Sequence, residues 1–508
     1  MTMKYQGFKV SVYLIVTMAV ISGCNQFDNY SDPQFEKQSF DLSLPIINSK
    51  ININEVAEKD QTSTLRIEPD GSITAIYSNE LIRDNASSLF PPLPIPQEFP
   101  ILEKDFLVNV PFPSKYDIKR GDFINTEMQF RYSCDYVGKV FINIQSPSIV
   151  DAQGQEFDQN YILNSTGGNL VTSSPFNLDG YSLYPIDTSI HFIYNAHDDT
   201  GQELDLSRLY MKTDYIEFKY VEGYFGKHRF PINGDFITIG LFTNWISGGI
   251  YFEEPRIHVG VDNGFGFPVR SEVSVLDIHA SNGDVTSVQS QYIDEGINFD
   301  YPSLEEAGQF KRTDFYFNSG NSNVGVLLND RPVRVVYDMS ALANPDDIYN
   351  PAEFIDKNSY FSVDIGVELP LYLKVNDLVL ADTFDFDFTS YDYIKSATFK
   401  LLVNNEFPVE TEIQTYFLDE NDKILDSLAI DPIQIEAPPL DVQGKTIGSY
   451  DYSNFIEFEK GKIDHLLKSK KVLAKVKFST NPVSDEALYI YDDYNLDLKL
   501  GVELRIEN

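Results

Sequence analysis

Alternation of apolar and polar residues is the dominant pattern from about residue 100 onward. The segments 371–388 and 494–508 both alternate, and the second is cleaner, with Leu496, Leu498, Leu500, Val502, Leu504 and Ile506 on one face. Successive side chains of a strand point to opposite faces, so this period predicts half-buried antiparallel strands. Helical periodicity is confined to short segments at 303–309 and 462–470. The pattern predicts an all-β, mainly antiparallel fold with short helices inserted.

A strand, kink, strand and turn occur twice along the chain. The first copy is "VDNGFGFPVRSEVSVLDIHASNGDV" at 261–285, and the second is "VNNEFPVETEIQTYFLDENDKIL" at 403–425. A weaker third copy runs from 122 to 226, without the proline and with its turn displaced. Repeats this far apart indicate domain duplication rather than a short-repeat solenoid.

The proline of each full copy explains the kink. Pro268 and Pro408 fix their own φ, donate no ladder hydrogen bond and push the preceding Phe267 or Phe407 to an extended conformation. A strand must therefore bend or bulge there, with the aromatic ring placed in the core. The pattern is similar to the Asn-Pro strand breaks of LEA-14 or water-stress β-sandwiches. That resemblance covers only these two segments, implies a sandwich and carries no functional residues.

These patterns divide the chain into predicted units. Three tandem β-sandwich-like modules are expected at 111–226, 227–345 and 346–508. The segment 39–110, which precedes them, is expected to be a small hairpin and Pro-rich segment, with the hairpin around the Pro-Asp-Gly turn of 64–78 and the Pro-rich stretch at 90–100.

The amino terminus indicates export. An apolar run at 10–21 follows two lysines and is too short for a membrane span, so residues 1–23 are interpreted as a signal peptide. The sequence "ISGC", ending at Cys24, resembles the lipobox of bacterial lipoproteins. This resemblance implies that Cys24 carries the lipid anchor and becomes the new amino terminus, followed by a polar tether at 24–38. An ordinary secretory signal with an incidental cysteine is the alternative.

Composition limits the expected cellular location of the protein and the classes of molecule that it could bind. The formal charge of −38 argues against nucleic acid and against direct attraction to an anionic bilayer. The Tyr-, Phe-, Asn- and Asp-rich texture behind a lipobox resembles the surface and outer-membrane lipoproteins of Bacteroidota. The resemblance implies a lipid-anchored protein of the cell envelope, at the outer membrane or the cell surface.

No pattern of catalytic chemistry is legible. The six histidines are scattered without metal-ligand spacing, and nucleophile-elbow, P-loop and dinucleotide motifs are absent from the sequence. With Cys24 assigned to lipid, Cys134 has no disulfide partner, and it is expected to be a small buried side chain on a strand. We therefore predict no catalytic residues, no metal site and no cofactor.

The remaining hypothesis is a binding function. Trp245, the single tryptophan, stands in the Gly- and Asn-bearing stretch "LFTNWISGGIYF" and is the candidate for a ligand or partner contact, with a core position as the alternative. The sequence favours a non-catalytic scaffold that binds another envelope protein. The alternatives are a glycan-binding lipoprotein of an uptake system and a carrier of apolar ligands, which would require an elongated apolar cavity.

Overall fold

A computed structural model describes residues 39–52, 63–94, 98–240, 247–388, 393–458, 460–480 and 486–507. Strands account for most of these residues, and the pairs of strands run antiparallel. The predicted all-β class is therefore confirmed, and the helices are short.

The strands are numbered here in chain order. The first half of the chain forms β1 (Ser39–Asn52), β2 (Thr64–Ile67), β3 (Ile73–Asn85), β4 (Leu93–Pro94), β5 (Phe99–Pro100), β6 (Asp105–Asn109), β7 (Asp117–Phe123), β8 (Glu127–Ser133), β9 (Val137–Asp151), β10 (Glu156–Thr166), β11 (Val171–Thr172), β12 (Phe176–Asn177), β13 (Tyr181–Leu183), β14 (Ser189–His197), β15 (Arg208–Lys212), β16 (Tyr215–Ile216), β17 (Phe218–Tyr224), β18 (His228–Thr238) and β19 (Ser247–Phe252).

The second half of the chain continues the series. It forms β20 (Arg256–Asn263), β21 (Val269–Ala280), β22 (Val285–Ser287), β23 (Asn298–Phe299), β24 (Lys311–Phe317), β25 (Pro332–Ala343), β26 (Glu353–Asp356), β27 (Tyr360–Pro370), β28 (Tyr372–Asp385), β29 (Ile394–Asn405), β30 (Glu410–Leu418), β31 (Ile424–Ser427), β32 (Ile433–Ile435), β33 (Tyr450–Phe458), β34 (Lys471–Ser479), β35 (Leu488–Tyr489) and β36 (Asn495–Glu507). The helices are α1 (Ala86–Leu89), α2 (Gln291–Glu295), α3 (Val324–Leu327), α4 (Lys460–Leu466) and a 3-10 turn at Leu304–Glu306.

The large sheets form three sandwiches that share one strand order. One sheet of each runs β5-β15-β8-β11 in the first sandwich, β3-β27-β20-β24 in the second and β1-β36-β29-β33 in the third. The other sheet runs β6-β14-β9-β10, β18-β25-β21-β22 and β28-β34-β30-β31, respectively. Further strands extend these sheets, among them β7, β17 and β26 in the first sandwich.

Aromatic side chains fill the space between facing sheets. In the first sandwich the ring of Phe130 lies 5.7 Å from that of Phe192 across the core. The rings of Phe230 and Phe361 are 4.9 Å apart in the second sandwich. Phe399 and Phe417 are 5.3 Å apart in the third. Each ring comes from the inward face of an alternating strand, as the sequence period requires.

The strands of the segment 39–110 are distributed over the three sandwiches. Its strands pair with all three sandwiches in reverse order, since β1 joins β36 of the third, β3 joins β27 of the second and β5 joins β15 of the first. The hairpin predicted at 64–78 is present as β2 and β3. A two-stranded hairpin is only marginally stable alone, whereas an unpaired sheet edge offers it a full ladder of hydrogen bonds. Two strands from the middle of the chain also join the neighbouring sandwiches. β26 pairs with β17 of the first sandwich, and β19 pairs with β28 of the third.

The strand register shows the order in which the three sandwiches are arranged. In the third, Ser39 pairs with Glu507 at one end, whereas Asn52 pairs with Asn495 at the end that meets the second sandwich. In the second, the Arg256 end of β20 adjoins the third sandwich and the kinked Asn263 end adjoins the first, where Phe267 packs 5.9 Å from Phe225. One continuous cluster of buried apolar residues runs through all three sandwiches.

Two buried asparagines form the kinks together with the prolines. Asn263 and Asn405 are both fully buried, and each side-chain Oδ1 accepts a hydrogen bond from the backbone N–H two residues later, on Phe265 at 2.9 Å and on Phe407 at 3.0 Å. The side-chain amide groups donate to backbone carbonyls, including that of Val409. An asparagine can thus replace the ladder bonds that the bend removes. Phe267 is buried as predicted, whereas Phe407 is only partly buried.

Candidate functional site

The joint between the second and third sandwiches contains a cleft with a volume of about 470 Å³. Four chain segments build it: the hairpin of β2 and β3, the connection from β19 to β20, the connection from β27 to β28, and β35. We call it the joint cleft. Its principal lining residues are Arg66, Glu68, Asp70, Glu254, Arg256 and Tyr489. Clefts of this size at the junction of two folded units are typical places for small-molecule binding.

A buried glutamate organises the two arginines of the cleft. Glu368, on β27, has a side chain only 4% exposed, and it accepts hydrogen bonds from Arg66 Nη1 at 3.1 Å and Arg256 Nε at 2.8 Å. Burial raises the pKa of Glu368, but the hydrogen bonds from both guanidinium groups outweigh burial and hold the pKa below its usual range. The glutamate is therefore ionised at neutral pH, and it fixes both arginine side chains by charge-assisted hydrogen bonds.

The hairpin turn presents further carboxylates in fixed positions. Arg66 Nε donates to Glu68 Oε1 at 2.8 Å, and the hydroxyl of Thr74 donates to the same oxygen at 3.0 Å. Asp70 Oδ1 accepts from the backbone N–H of Ser72 at 2.9 Å and from its hydroxyl at 2.7 Å. The side-chain bond from Ser72 is the main reason why the pKa of Asp70 lies below its usual range. Glu68 and Asp70 are thus both charged, and one carboxylate oxygen of each already accepts hydrogen bonds.

Tyr489 forms the aromatic wall of the cleft on the side of the third sandwich. One face of its ring stacks on Tyr372 at a centroid distance of 4.2 Å, and the residue is 36% exposed. The wall is fixed to the second sandwich by backbone hydrogen bonds, from Ile490 N to Leu371 O at 2.9 Å and from Asp492 N to Gly71 O at 3.2 Å. The two sides of the cleft are therefore joined directly beside it.

A second charged cluster lies on the outer face of the same sheet. Arg312 contacts Asp262, Asp314 and Asp364, and His258 Nε2 lies 2.7 Å from Asp314 Oδ1. Its members are partly exposed and pair with one another across the outer surface of β20, β24 and β27. Exposed ion pairs of this kind contribute little individually.

The joint cleft offers charged hydrogen-bonding groups and one aromatic ring. The described residues that line it include no histidine, cysteine or lysine. The hydroxyl of Ser72 donates to Asp70 Oδ1 at 2.7 Å. Within the described part of the chain, no group of three or more His, Cys, Asp or Glu side chains is arranged to hold a metal ion.

The two residues that the sequence singled out lie outside the described residues. Cys24 precedes β1, and Trp245 falls between 240 and 247, so neither the predicted lipid anchor nor the predicted contact residue is placed by the structure. Cys134 is buried directly after β8, as expected, with Sγ 3.3 Å from the carbonyl of Asp205. Among the helices that the structure describes, none is both long and apolar enough to cross a membrane.

An apolar void inside the second sandwich bears on the hypothesis of an apolar-ligand carrier. It is lined by Val259, Leu276, Phe317 and neighbouring core side chains, and its volume is about 10 Å³. A space of this size holds roughly one water molecule. This void therefore lends no support to an elongated cavity for apolar ligands.

Comparisons with known proteins do not identify the chain. No protein family matches it, and neither does any curated protein. Among solved structures, a "putative secreted protein" from Parabacteroides distasonis aligns over 92% of this chain and 99% of its own at 11% identity, with a TM-score of 0.27.

Viral structures align as well. That of infectious bursal disease virus strain Gx aligns over 94% of this chain and 84% of its own at 9% identity, with a TM-score of 0.14. The VP2 subviral particle of the same virus covers 94% and 82% at 9% identity, with a TM-score of 0.14. At such TM-scores these likenesses carry no argument about function.

Sequence reasoning missed the joint cleft. Of its parts, only the Pro-Asp-Gly turn was visible in the pattern. The available signal was Glu368 itself, one of two acidic residues, with Asp364, in the otherwise largely apolar run "FSVDIGVELPLYL" at 361–373. A carboxylate in such a run must find cationic partners when it is buried. The two arginines come from segments far away in the sequence, so their identity could not be read from the run.

Proposed function

We propose that this protein is a non-catalytic, lipid-anchored binding or scaffold protein of the bacterial cell envelope, tethered through Cys24. The observation that carries the proposal is the order of the sandwiches. The expected tether, 24–38, leads directly into Ser39, at the end of the third sandwich opposite its joint with the second. Fifteen residues reach at most about 50 Å when fully extended. A lipid on Cys24 would therefore keep the third sandwich near the membrane and carry the first sandwich away from it.

The surface that we propose for partner binding is the outer end of the first sandwich. Tyr136 and Val137 lie there, 37% and 71% exposed, at the end of β9 away from β7. Ile162, on the neighbouring edge strand β10, is 55% exposed. Exposed apolar and aromatic residues at the tip of a tethered protein are typical contacts for another protein. The anionic character of the chain favours a partner with a basic contact surface.

The anchor is tested by expressing the full chain in a lipoprotein-processing bacterium with an alkyne-labelled fatty acid. We expect wild type to be labelled and to sediment with membranes, because the acyl chains partition into the bilayer. Cys24→Ala should be unlabelled and should leave the membrane fraction. Cys134→Ala is the matched control and should behave as wild type. Label or membrane association that persists in Cys24→Ala would contradict the anchor.

The scaffold role is tested by affinity purification of the lipidated protein from its native, detergent-solubilised membranes. We expect an envelope protein to be recovered stoichiometrically with wild type and lost with the double variant Tyr136→Ser, Val137→Ser. Val285→Ser is the control, since Val285 is 54% exposed on β22 of the second sandwich. Recovery of the protein alone, or of a partner that is insensitive to the tip variant, would refute this surface.

Glycan binding is the second candidate function. The specific observation that favours it is the joint cleft. Its fixed charged pairs and its aromatic wall could bind a sugar without catalysing a reaction.

A further inference from the structure

We propose that the joint cleft is a binding site for an uncharged, hydroxyl-rich ligand of the saccharide class. Arg256, Asp70 and Glu254 would supply its hydrogen bonds, and Tyr489 would stack on the ring of the sugar. The inference rests on the second candidate function, glycan binding, and specifies its site and ligand class. It does not depend on the lipid anchor or on the partner surface, because those concern other parts of the molecule.

The charge of the cleft disfavours two other classes of ligand, anionic and apolar ones. Four carboxylates, on Glu68, Asp70, Glu254 and the buried Glu368, face two guanidinium groups, so the site is net negative within a chain of formal charge −38. Anionic ligands are repelled by this excess. Apolar ligands would have to desolvate the charged walls without compensation. A neutral polar ligand meets neither penalty.

The donors and acceptors left over in the cleft match hydroxyl groups. Arg256 uses Nε for Glu368, and its terminal N–H groups have no hydrogen-bond partner among the described residues. Asp70 uses only Oδ1, and Glu254 makes no hydrogen bond within the described part of the chain. Hydrogen-bond donors and acceptors without a described partner therefore line the same cleft. A hydroxyl group donates one hydrogen bond and accepts others, so adjacent hydroxyls can bridge a guanidinium and a carboxylate.

The site is held in place before any ligand arrives. Glu368 fixes the guanidinium of Arg256, which also lies 4.9 Å from the ring centroid of Tyr316. Tyr489 is supported from behind by Tyr372. Groups that are already ordered lose little conformational freedom on binding, so a small number of hydrogen bonds and one stacking contact can give measurable affinity.

The direct test is crystallographic. Crystals of the full chain carrying Cys24→Ala are soaked separately in concentrated glucose, galactose, mannose and N-acetylglucosamine, and in a lysine tripeptide. We expect at least one sugar ring against Tyr489, with hydroxyls bonded to Arg256 and to Asp70 or Glu254. A cleft that stays empty in every sugar soak overturns the proposal. A cleft that takes the tripeptide and no sugar also overturns it, in favour of a basic protein segment.

Solution titration by calorimetry then separates the stacking contact from general stability. The probe is the hexasaccharide built from the sugar seen in the crystal. Tyr489→Ala should weaken binding by about tenfold or more, a change that corresponds to about 1.4 kcal/mol. Tyr489→Phe should retain it, because the ring remains. Tyr301→Ala, at a tyrosine that is 41% exposed elsewhere, is the control and should bind as wild type. Equal affinity of Tyr489→Ala and wild type would refute stacking at this site.

Discussion

Glu353 is a buried carboxyl group at the joint between the first and second sandwiches, and its ionisation should weaken the fold as the pH rises. The residue is 0% exposed. Its Oε2 accepts hydrogen bonds from the backbone N–H of Phe225 at 3.1 Å and from the side-chain amide of Asn344 at 3.0 Å. Its Oε1 has no partner among the described residues. Neither described donor carries a charge, so a negative charge there is poorly compensated.

The size of the effect follows from the pKa of Glu353. Burial raises the pKa from its ordinary value of 4.5 to about 7, although the bonds from Phe225 and Asn344 oppose the shift. Across this window the folded state binds the proton more tightly than the unfolded chain does, so the free energy of unfolding falls as the pH rises. With about 1.4 kcal/mol for each pKa unit, we expect a loss of about 2.5 kcal/mol between pH 5 and pH 8.

The substitution Glu353→Gln isolates this loss. The glutamine carbonyl can accept both existing hydrogen bonds, and its NH2 group would occupy the position of Oε1, with a cost that does not depend on pH. We therefore expect the stability of the variant relative to wild type to improve by about 2.5 kcal/mol from pH 5 to pH 8, whatever the offset at pH 5. Urea unfolding followed by circular dichroism measures it, with the slope checked at each pH for two-state behaviour.

The matched control is Glu305→Gln, which removes one negative charge from an exposed glutamate. It should shift the difference between the two pH values by less than about 0.5 kcal/mol, as is usual for surface substitutions. If Glu353→Gln shows the same stability relative to wild type at both pH values, the reasoning about Glu353 is wrong. A relative loss at pH 8 would mean that the ionised carboxylate has a cationic partner.

Three further predictions concern the sandwiches themselves. Phe399→Ala should lower the free energy of unfolding by about 3–5 kcal/mol because it leaves a cavity between facing sheets, whereas Phe455→Ala, at a ring 62% exposed on β33, should cost far less; equal urea midpoints would contradict this. Gly248→Ala should cost about 1–3 kcal/mol, since Gly248 has φ of +93° and its new Cβ would collide with the backbone carbonyl of Asp377; unchanged thermal unfolding would contradict it. Deletion of β1 should expose the edge of β36, speed hydrogen exchange there and promote aggregation; a monomer with unchanged exchange in β36 would contradict it.

The sequence was informative wherever structure is local. The period of two in 494–508 predicted β36, and its six apolar residues are buried on one face. The short helical segments at 303–309 and 462–470 correspond to the 3-10 turn and to α4, each shifted or shortened by a few residues. Alternation and capping are properties of neighbouring residues, so one sequence is enough to reveal them.

Strand pairs and side-chain pairs that are far apart in the sequence could not be predicted in the same way. The pattern of 39–52 shows a strand, but nothing in it specifies β36, some 450 residues later, over the strands that are closer in the chain. The same limit hid the joint cleft, where Arg66, Arg256 and Glu368 meet from three distant segments. For the same reason, composition could mark the segment 39–110 but not the sheets that its strands join.

The strands and connections that pass from one sandwich to another also limit how the sandwiches can move relative to one another. Each joint is bridged by several passages of the backbone: β26 pairs directly with β17 at one joint, and β27 continues into β28 at the other, beside the turn that contacts Asp492. A hinge between two units requires few contacts, whereas here the buried apolar core is continuous across the joints. The three sandwiches should therefore act as one stiff body. A ligand in the joint cleft would then bind to a fixed wall rather than close a hinge, which is why the crystal soak tests that site directly.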